Sequence, residues 1–213
     1  MSFAVSYQSF AEGGADLYGI DLTDRAVEHT SRRLALFGLE SRLAVGDAEH
    51  LPFGDDTFDI VYSWGVLHHT GAMHQAIEDA ASLVRPGGLF AFAFYRKTRL
   101  CGVWTHIKRW YARASPEGQQ RARSIYIVLF KLALRATGRD FESYVRNYRS
   151  NRGMNFEHDL HDWIGGYPYE SIRPSEVAAA MAKSGFEHVR SNTRPYEIGF
   201  FGSGCDEYVY RRR

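Results

Sequence analysis

The chain has 213 residues, of which 45% are hydrophobic and 24% charged, and its formal net charge is +1. That composition fits one globular domain with room for an insertion, and it excludes a disordered chain and a uniformly basic nucleic-acid binder. Two cysteines, Cys101 and Cys205, have neither zinc-ligand spacing nor the density of a secreted disulfide scaffold, which points to small packing roles in a reducing cytoplasm. No stretch reads as an export signal or approaches eighteen consecutive apolar residues.

Apolar runs and helical periods alternate as expected for a parallel sheet with crossover helices. SFAVSYQSFAEGGAD has room for a short helix ended by Gly13 and Gly14; FAVSY alternatively reads as a shortened strand. LYGIDLT (17–23) is a short buried strand, and the following helix places Ala26, Val27, Leu34 and Phe37 at helical spacing and stops at Gly38. RLAVGDA (42–48) and FDIVYSW (58–64) are the next strands, MHQAIEDAASLV is a helix, and GGLFAFAFYR (87–96) is a strand after an RPGG turn. Near the end, PSEVAAAMAKSGF reads as a helix closed by Gly185, followed by the strands EHVRSNT and EYVYRRR.

In open doubly wound sheets, ligands sit beyond the carboxyl ends of the strands, and an acid ending the second strand can accept hydrogen bonds from both ribose hydroxyls. Asp21 occupies that position. Asp47, in GDAEHLPF, stands just past the next strand, where a carboxylate can accept a proton from an adenine amine while Ala48 and Leu51 wall the ring. Both aspartates can equally cap the turn or helix that follows them.

The stretches GIDLT, GDAEHLPFGDDTFDIVYSWGVLHHT and SLVRPGGLFAFAFY together resemble the class I S-adenosylmethionine-dependent methyltransferases over roughly Asp16 to Arg96. The resemblance implies a Rossmann-like α/β sheet with S-adenosyl-L-methionine as cofactor. It implies that Asp21, with Leu22, holds the ribose, that Asp47, with Ala48, holds the adenine, and that Ser63, Trp64, Gly65 and Leu67 lie beneath the methionine and the sulfur. HDWIGGYPYES and GSGCDEYVY also resemble a tail of methyltransferases from bacterial surface-polysaccharide clusters. Members of the family carry an acid-tipped strand and a glycine-rich loop ahead of the strand matching LYGID. Here sixteen residues come first, so the expected fold is an N-terminally truncated version of the sheet, a single domain over residues 1–213. The empty central position would leave two strand edges to be paired directly, filled by a strand from a second copy in a homodimer, or supplied by sequence upstream of Met1.

Methyl transfer to a hydroxyl needs alignment and a base. His68, just past the FDIVYSWGVL strand, is the expected base, with His69, Tyr95, Arg96, His161 and Asp162 contacting the acceptor; a satisfied loop histidine and an ordinary strand terminus are the alternative readings. No serine elbow, P-loop or metal-ligand spacing competes, and no metal is expected. Residues 97–152 read as two or three inserted helices that hold most of the basic excess, interleaved with aromatic residues. Such a lid suits a glycan or small-molecule acceptor or an anionic membrane surface, which makes the expected location cytoplasmic and peripheral to a membrane; a lid with a solvated basic face is the plain alternative. Nucleic acid fits less well, because no NPPY-like stretch is present to grip a flipped base. Two functions follow from these readings: O-methylation of a sugar or small metabolite, or a non-catalytic methyltransferase-like binding module with impaired cofactor binding.

Overall fold

The computed structural model describes residues 3–40, 42–195 and 198–213. Its elements run α1 (Phe3–Glu12), β1 (Tyr18–Asp21), α2 (Asp24–Leu36), β2 (Arg42–Val45), β3 (Phe58–Trp64), a 3₁₀ turn (Leu67–His69), α3 (Met73–Ser82), β4 (Val84–Tyr95), α4 (Cys101–Tyr111), α5 (Pro116–Ala136), α6 (Phe141–Arg152), α7 (Phe156–Gly165), α8 (Pro174–Lys183), β5 (Phe186–Asn192) and β6 (Cys205–Arg212). FAVSY therefore lies in a helix rather than in a strand. The helix boundaries follow capping chemistry. Thr23 Oγ1 accepts from the Ala26 amide to start α2, Ser115 caps α5 ahead of Pro116, and Asp140 and Asn155 cap α6 and α7. Gly38 at φ +67° and Gly185 at φ +80° provide the left-handed turns that end α2 and α8.

The strands form two sheets. β1 and β2 pair in parallel, and a four-stranded sheet runs β3-β4-β6-β5, parallel between β3 and β4 and antiparallel thereafter. β4 begins at Val84 rather than after the RPGG turn, and the ladder to β3 slips between Phe58 and Ile60. Among the described residues no strand lies between β1 and β3, and the two edges do not pair with each other. Aromatic rings bridge them instead. Tyr18 of β1 meets Phe58 of β3 at 5.8 Å and Phe53 at 6.0 Å, and Phe10 of α1 meets Tyr62 of β3 at 5.1 Å.

The main core lies between the four-stranded sheet and the helices α3 and α8. Phe90, Phe92 and Phe94 alternate along β4 on one face and are at most 1% exposed; Phe92 stacks on Tyr208 and Tyr210 of β6, and Ile77 and Met181 close the layer. The inserted helices α4 to α7 build a second core around Tyr111, Phe156, Leu160 and Ile164. α7, which contains most of the HDWIGG segment, thus joins the helices expected at 97–152 as their packing partner. Cys101 is buried as expected, whereas Cys205 is exposed.

Where β4 gives way to the inserted helices, Arg96 donates from Nε (2.8 Å) and Nη2 (2.6 Å) to Asp206 Oδ1 of β6, and the two side chains are 4% and 1% exposed. Removing one partner of a buried ion pair strands the other charge. Arg96→Met is expected to lose about 3–5 kcal/mol of unfolding free energy in urea titrations. The double variant Arg96→Met/Asp206→Leu should recover most of that loss, and a single-variant loss of under about 1 kcal/mol would show that the pair is solvated.

Candidate functional site

β1 and β2 end in register, with Asp21 opposite Val45, and the Gly46 amide donates to the Asp21 carbonyl at 3.0 Å. Asp21 and Asp47 are thereby carried to the same, carboxyl end of two neighbouring strands. Each uses Oδ1 locally. Asp21 accepts from the Thr23 amide and hydroxyl, both at 3.0 Å, and Asp47 accepts from the Glu49 amide at 3.0 Å. These bonds orient the carboxylates and rigidify the turns that carry them. Gly46 permits the approach of β2 to β1, since a Cβ there would stand 2.8 Å from Ile20 Cγ2. Ala48 and Leu51 pack against the main core, while Leu22, beside Asp21, is 69% exposed.

At the end of β3, Ser63 and Trp64 pair with Phe92 and Ala93, Trp64 stacks on Tyr62, and Gly65 turns the chain at φ +76° with its amide on the Ala93 carbonyl. Leu67 is 3% exposed, so its side chain belongs to the core rather than to a ligand-facing surface. Two carboxylates at adjacent strand ends fit the ribose and base of a nucleoside. The glycine-rich turn that would cradle an amino-acid tail is not found between β1 and β3 among the described residues.

His68, His69 and Tyr95 come together past β3 and β4. The Tyr95 ring lies 4.0 Å from that of His68 and 5.3 Å from that of His69. The two histidines are not equivalent. His68 is 1% exposed and its Nδ1 accepts from the Tyr95 amide at 3.2 Å, so it pins the β4 terminus from inside; burial first, then His69 and Lys108, hold its pKa well below the usual imidazole value. His69 donates Nδ1–H to the Pro168 carbonyl at 2.6 Å, a bond that leaves Nε2 as the lone-pair nitrogen. Burial and Lys108 lower the His69 pKa against the raising effect of Pro168. His69 therefore has the tautomer of a proton acceptor, and the role expected for His68 fits His69 better. The strap that orients it is itself fixed: Glu170 accepts from the amides of Gly71 (3.1 Å) and Met73 (3.0 Å), and its own amide donates to the His68 carbonyl at 3.0 Å.

Three members of this cluster are not visible as such in the sequence. Lys108 of α4 is fully buried, donates to the Trp163 carbonyl, and places Nζ 4.3, 5.0 and 5.5 Å from the ring centres of Trp163, Tyr169 and Tyr95. Burial brings its pKa down to about 7, while the three ring faces favour its charged form. Long-range packing alone reveals Lys108, which in sequence is one cation among many; Trp163 and Tyr169 lie in the HDWIGGYPYE segment and carry the only prior signal.

The remaining expected contacts go elsewhere. Arg96 is committed to Asp206 and does not line an acceptor pocket. His161 accepts at Nδ1 from Arg123 (2.9 Å), with the Tyr111 hydroxyl at 2.6 Å, and both His161 and Asp162 are exposed residues of α7. Beside Tyr169, a cavity of about 240 Å³ opens between Met73, Lys97, Cys101, Thr105 and Glu170, and neither His68 nor His69 lines it. Burial pushes the Cys101 thiol up, but the hydroxyls of Ser171, Thr98 and Tyr169 and the Thr98 amide outweigh it and leave the pKa below the usual thiol value.

Residues 3–92 match the family described as "Methyltransferase domain". A probable phthiotriol/phenolphthiotriol dimycocerosates methyltransferase of Mycobacterium ulcerans is 32% identical over 116 residues, 54% of this chain and 42% of that protein. A malonyl-[acyl-carrier protein] O-methyltransferase of Methylococcus capsulatus is 30% identical over 90 residues, 38% of this chain and 33% of that protein. The matches thus span less than half the length of these relatives. Among solved structures, magnesium protoporphyrin IX methyltransferase of Synechocystis, with bound S-adenosylhomocysteine, superposes with a TM-score of 0.56 at 15% identity over 99% of this chain and 70% of that one.

Between about pH 7 and the ordinary lysine value of 10.5, the unfolded chain holds a proton on Lys108 that the folded chain does not, so stability rises with pH across that window. Lys108→Met removes this contribution. The variant is expected to melt above the wild type below pH 7, with the difference shrinking as pH rises toward 10.5. A difference in Tm independent of pH would mean that Lys108 is not desolvated.

Proposed function

We propose that this chain, whose residues 3–92 match a methyltransferase-domain family, is a class I S-adenosylmethionine-dependent enzyme that methylates a hydroxyl oxygen of a sugar or small metabolite. The observation that carries the reading is the pair of carboxylates, Asp21 and Asp47, at the ends of neighbouring parallel strands. When bound, S-adenosylmethionine supplies a methyl group on a positively charged sulfur. Asp21 and Leu22 are placed to hold the ribose, Asp47 and Ala48 the adenine, and the Ser63–Gly65 strand end to underlie the remainder.

Displacement at that carbon requires the acceptor oxygen to be aligned and relieved of its proton. His69 Nε2 takes the proton, and the Pro168 carbonyl on Nδ1 steadies the imidazolium that results. Tyr95, between the histidines and Lys108, supplies an apolar face for the acceptor and excludes water. A base of this kind is useful to an oxygen acceptor, and one of the similar proteins is named an O-methyltransferase. A second reading is a binding module without turnover; what favours it is that Asp21 and Asp47 each engage Oδ1 with their own turns, as structural aspartates do.

Calorimetric titration with S-adenosylhomocysteine separates the two. Micromolar binding that weakens by about tenfold or more in Asp21→Ala and in Asp47→Ala is expected. His69→Ala should keep that affinity and lose about 10²–10⁴-fold in turnover with hydroxyl acceptors. A folded chain without affinity for S-adenosylhomocysteine would leave the binding module as the answer, and an undiminished rate in His69→Ala would remove the base.

A further inference from the structure

The outer face of α5 is the feature that the site does not use. Inward, Ala122, Tyr126, Ile127 and Phe130 pack into the core of the inserted helices. Outward, Ile125, Val128, Leu129 and Leu132 repeat at helical spacing and are 62%, 55%, 54% and 59% exposed. A helix on the surface of a globular protein normally turns a polar face to water, whereas α5 is apolar on both sides. Exposed Arg121 lies one turn before Ile125 and exposed Arg135 one turn after Leu132, so the stripe is framed by guanidinium groups. Trp110 of α4, 54% exposed, stands near the start of α5, with its ring 4.0 Å from a Cβ placed at Gly118.

Charge is divided to match. Residues 97–152 contain thirteen Lys and Arg against three acids, Glu117, Asp140 and Glu142, while the rest of the chain contains thirteen against twenty-two. The near-neutral total conceals a strongly basic module on an acidic body.

We infer that the outer face of α5 docks on an anionic lipid surface, with Ile125, Val128, Leu129 and Leu132 entering the headgroup–acyl boundary and Arg121 and Arg135 meeting the lipid phosphates. An aliphatic stripe with basic ends is the pattern of a helix lying in the interface plane, and an exposed tryptophan beside it suits the same depth. The helix rests on the bilayer and does not cross it, since no helix among the described residues is long and apolar enough to span. A second copy of the chain is a poorer occupant: two such faces would bring arginines together, and the single acid of α5, Glu117, sits at its amino end. The placement stands apart from the reading of the reaction, yet it bears on the reaction's surroundings. Tyr126 on the inner face touches Trp163 at 5.9 Å, and Trp163 in turn covers Lys108, so the docking face lies one ring behind the histidine cluster.

The test is co-sedimentation of the full chain with vesicles of phosphatidylcholine, either alone or with a one-third share of phosphatidylglycerol. Binding to the anionic vesicles only, weakened by added salt, is expected. Ile125→Glu/Leu132→Glu, which changes exposed positions and should leave the circular dichroism spectrum unaltered, should bind at least about tenfold more weakly. The proposal is overturned if the wild type ignores both vesicles, or if the double variant binds as well as the wild type. It is equally overturned if sedimentation equilibrium shows a dimer that the double variant dissociates while neither protein binds lipid, which would make a second copy the occupant.

Discussion

The ion pair between Arg96 and Asp206 is the joint on which the rest of the molecule hangs. It sits where β4 ends and the inserted helices begin, and several chain segments converge on it. The Arg96 amide donates to the Gly204 carbonyl, the Lys97 amide donates to the Ile172 carbonyl, and the Arg194 amide donates to Asp206 Oδ1 at 3.3 Å. The Cys101 thiol at the head of α4 reaches back to the Arg96 carbonyl at 3.5 Å. Burying a guanidinium and a carboxylate costs solvation that only close geometry offsets. The return is positional, because a strand terminus held this way fixes where Tyr95 points, and Tyr95 organises both histidines.

Around that joint the protein keeps titratable groups from carrying charge. His68 and His69 are held neutral mainly by burial, and Lys108, enclosed by three aromatic rings, stands near the midpoint of its titration at neutral pH. A proton arriving on His69 would meet a partly charged neighbour in Lys108 and a helpful carbonyl in Pro168. The two influences oppose each other.

Much of this architecture can be read from the chain. FDIVYSW gives β3 residue for residue, because its apolar run is bounded by turn residues on both sides, and Thr23 and Gly38 bracket α2 by capping and left-handed chemistry. Asp21 and Asp47 stand at strand ends as their spacing implies. What sequence leaves open is decided by contacts distant along the chain. His68 and His69 are adjacent, and partners distant along the chain distinguish them: the Tyr95 amide for His68 and the Pro168 carbonyl, 99 residues away, for His69. Arg96 looks like a pocket residue until Asp206, 110 residues later, takes it. Lys108 hides in a basic segment because burial, unlike charge, has no local signature when the covering rings come from β4 and the α7 region. The α5 helix shows its apolar content plainly, but which side remains uncovered depends on α4, α6 and α7.

The two sheets touch through rings, not through a ladder, and that changes how the molecule can deform. Hydrogen-bonded strands move as one plate, but the contacts of Tyr18 with Phe58 and of Phe10 with Tyr62 have no directional bond to resist sliding. The four residue pairs of β1 and β2 therefore form a small leaf with no backbone ladder to the larger sheet. A ligand gripped at one end by Asp21 and Asp47 and at the other by the β3 terminus would act as a cross-tie between leaf and plate. Stiffness of the protein would then be a property of the complex, and part of the ligand's binding free energy would appear as order gained far from its own atoms.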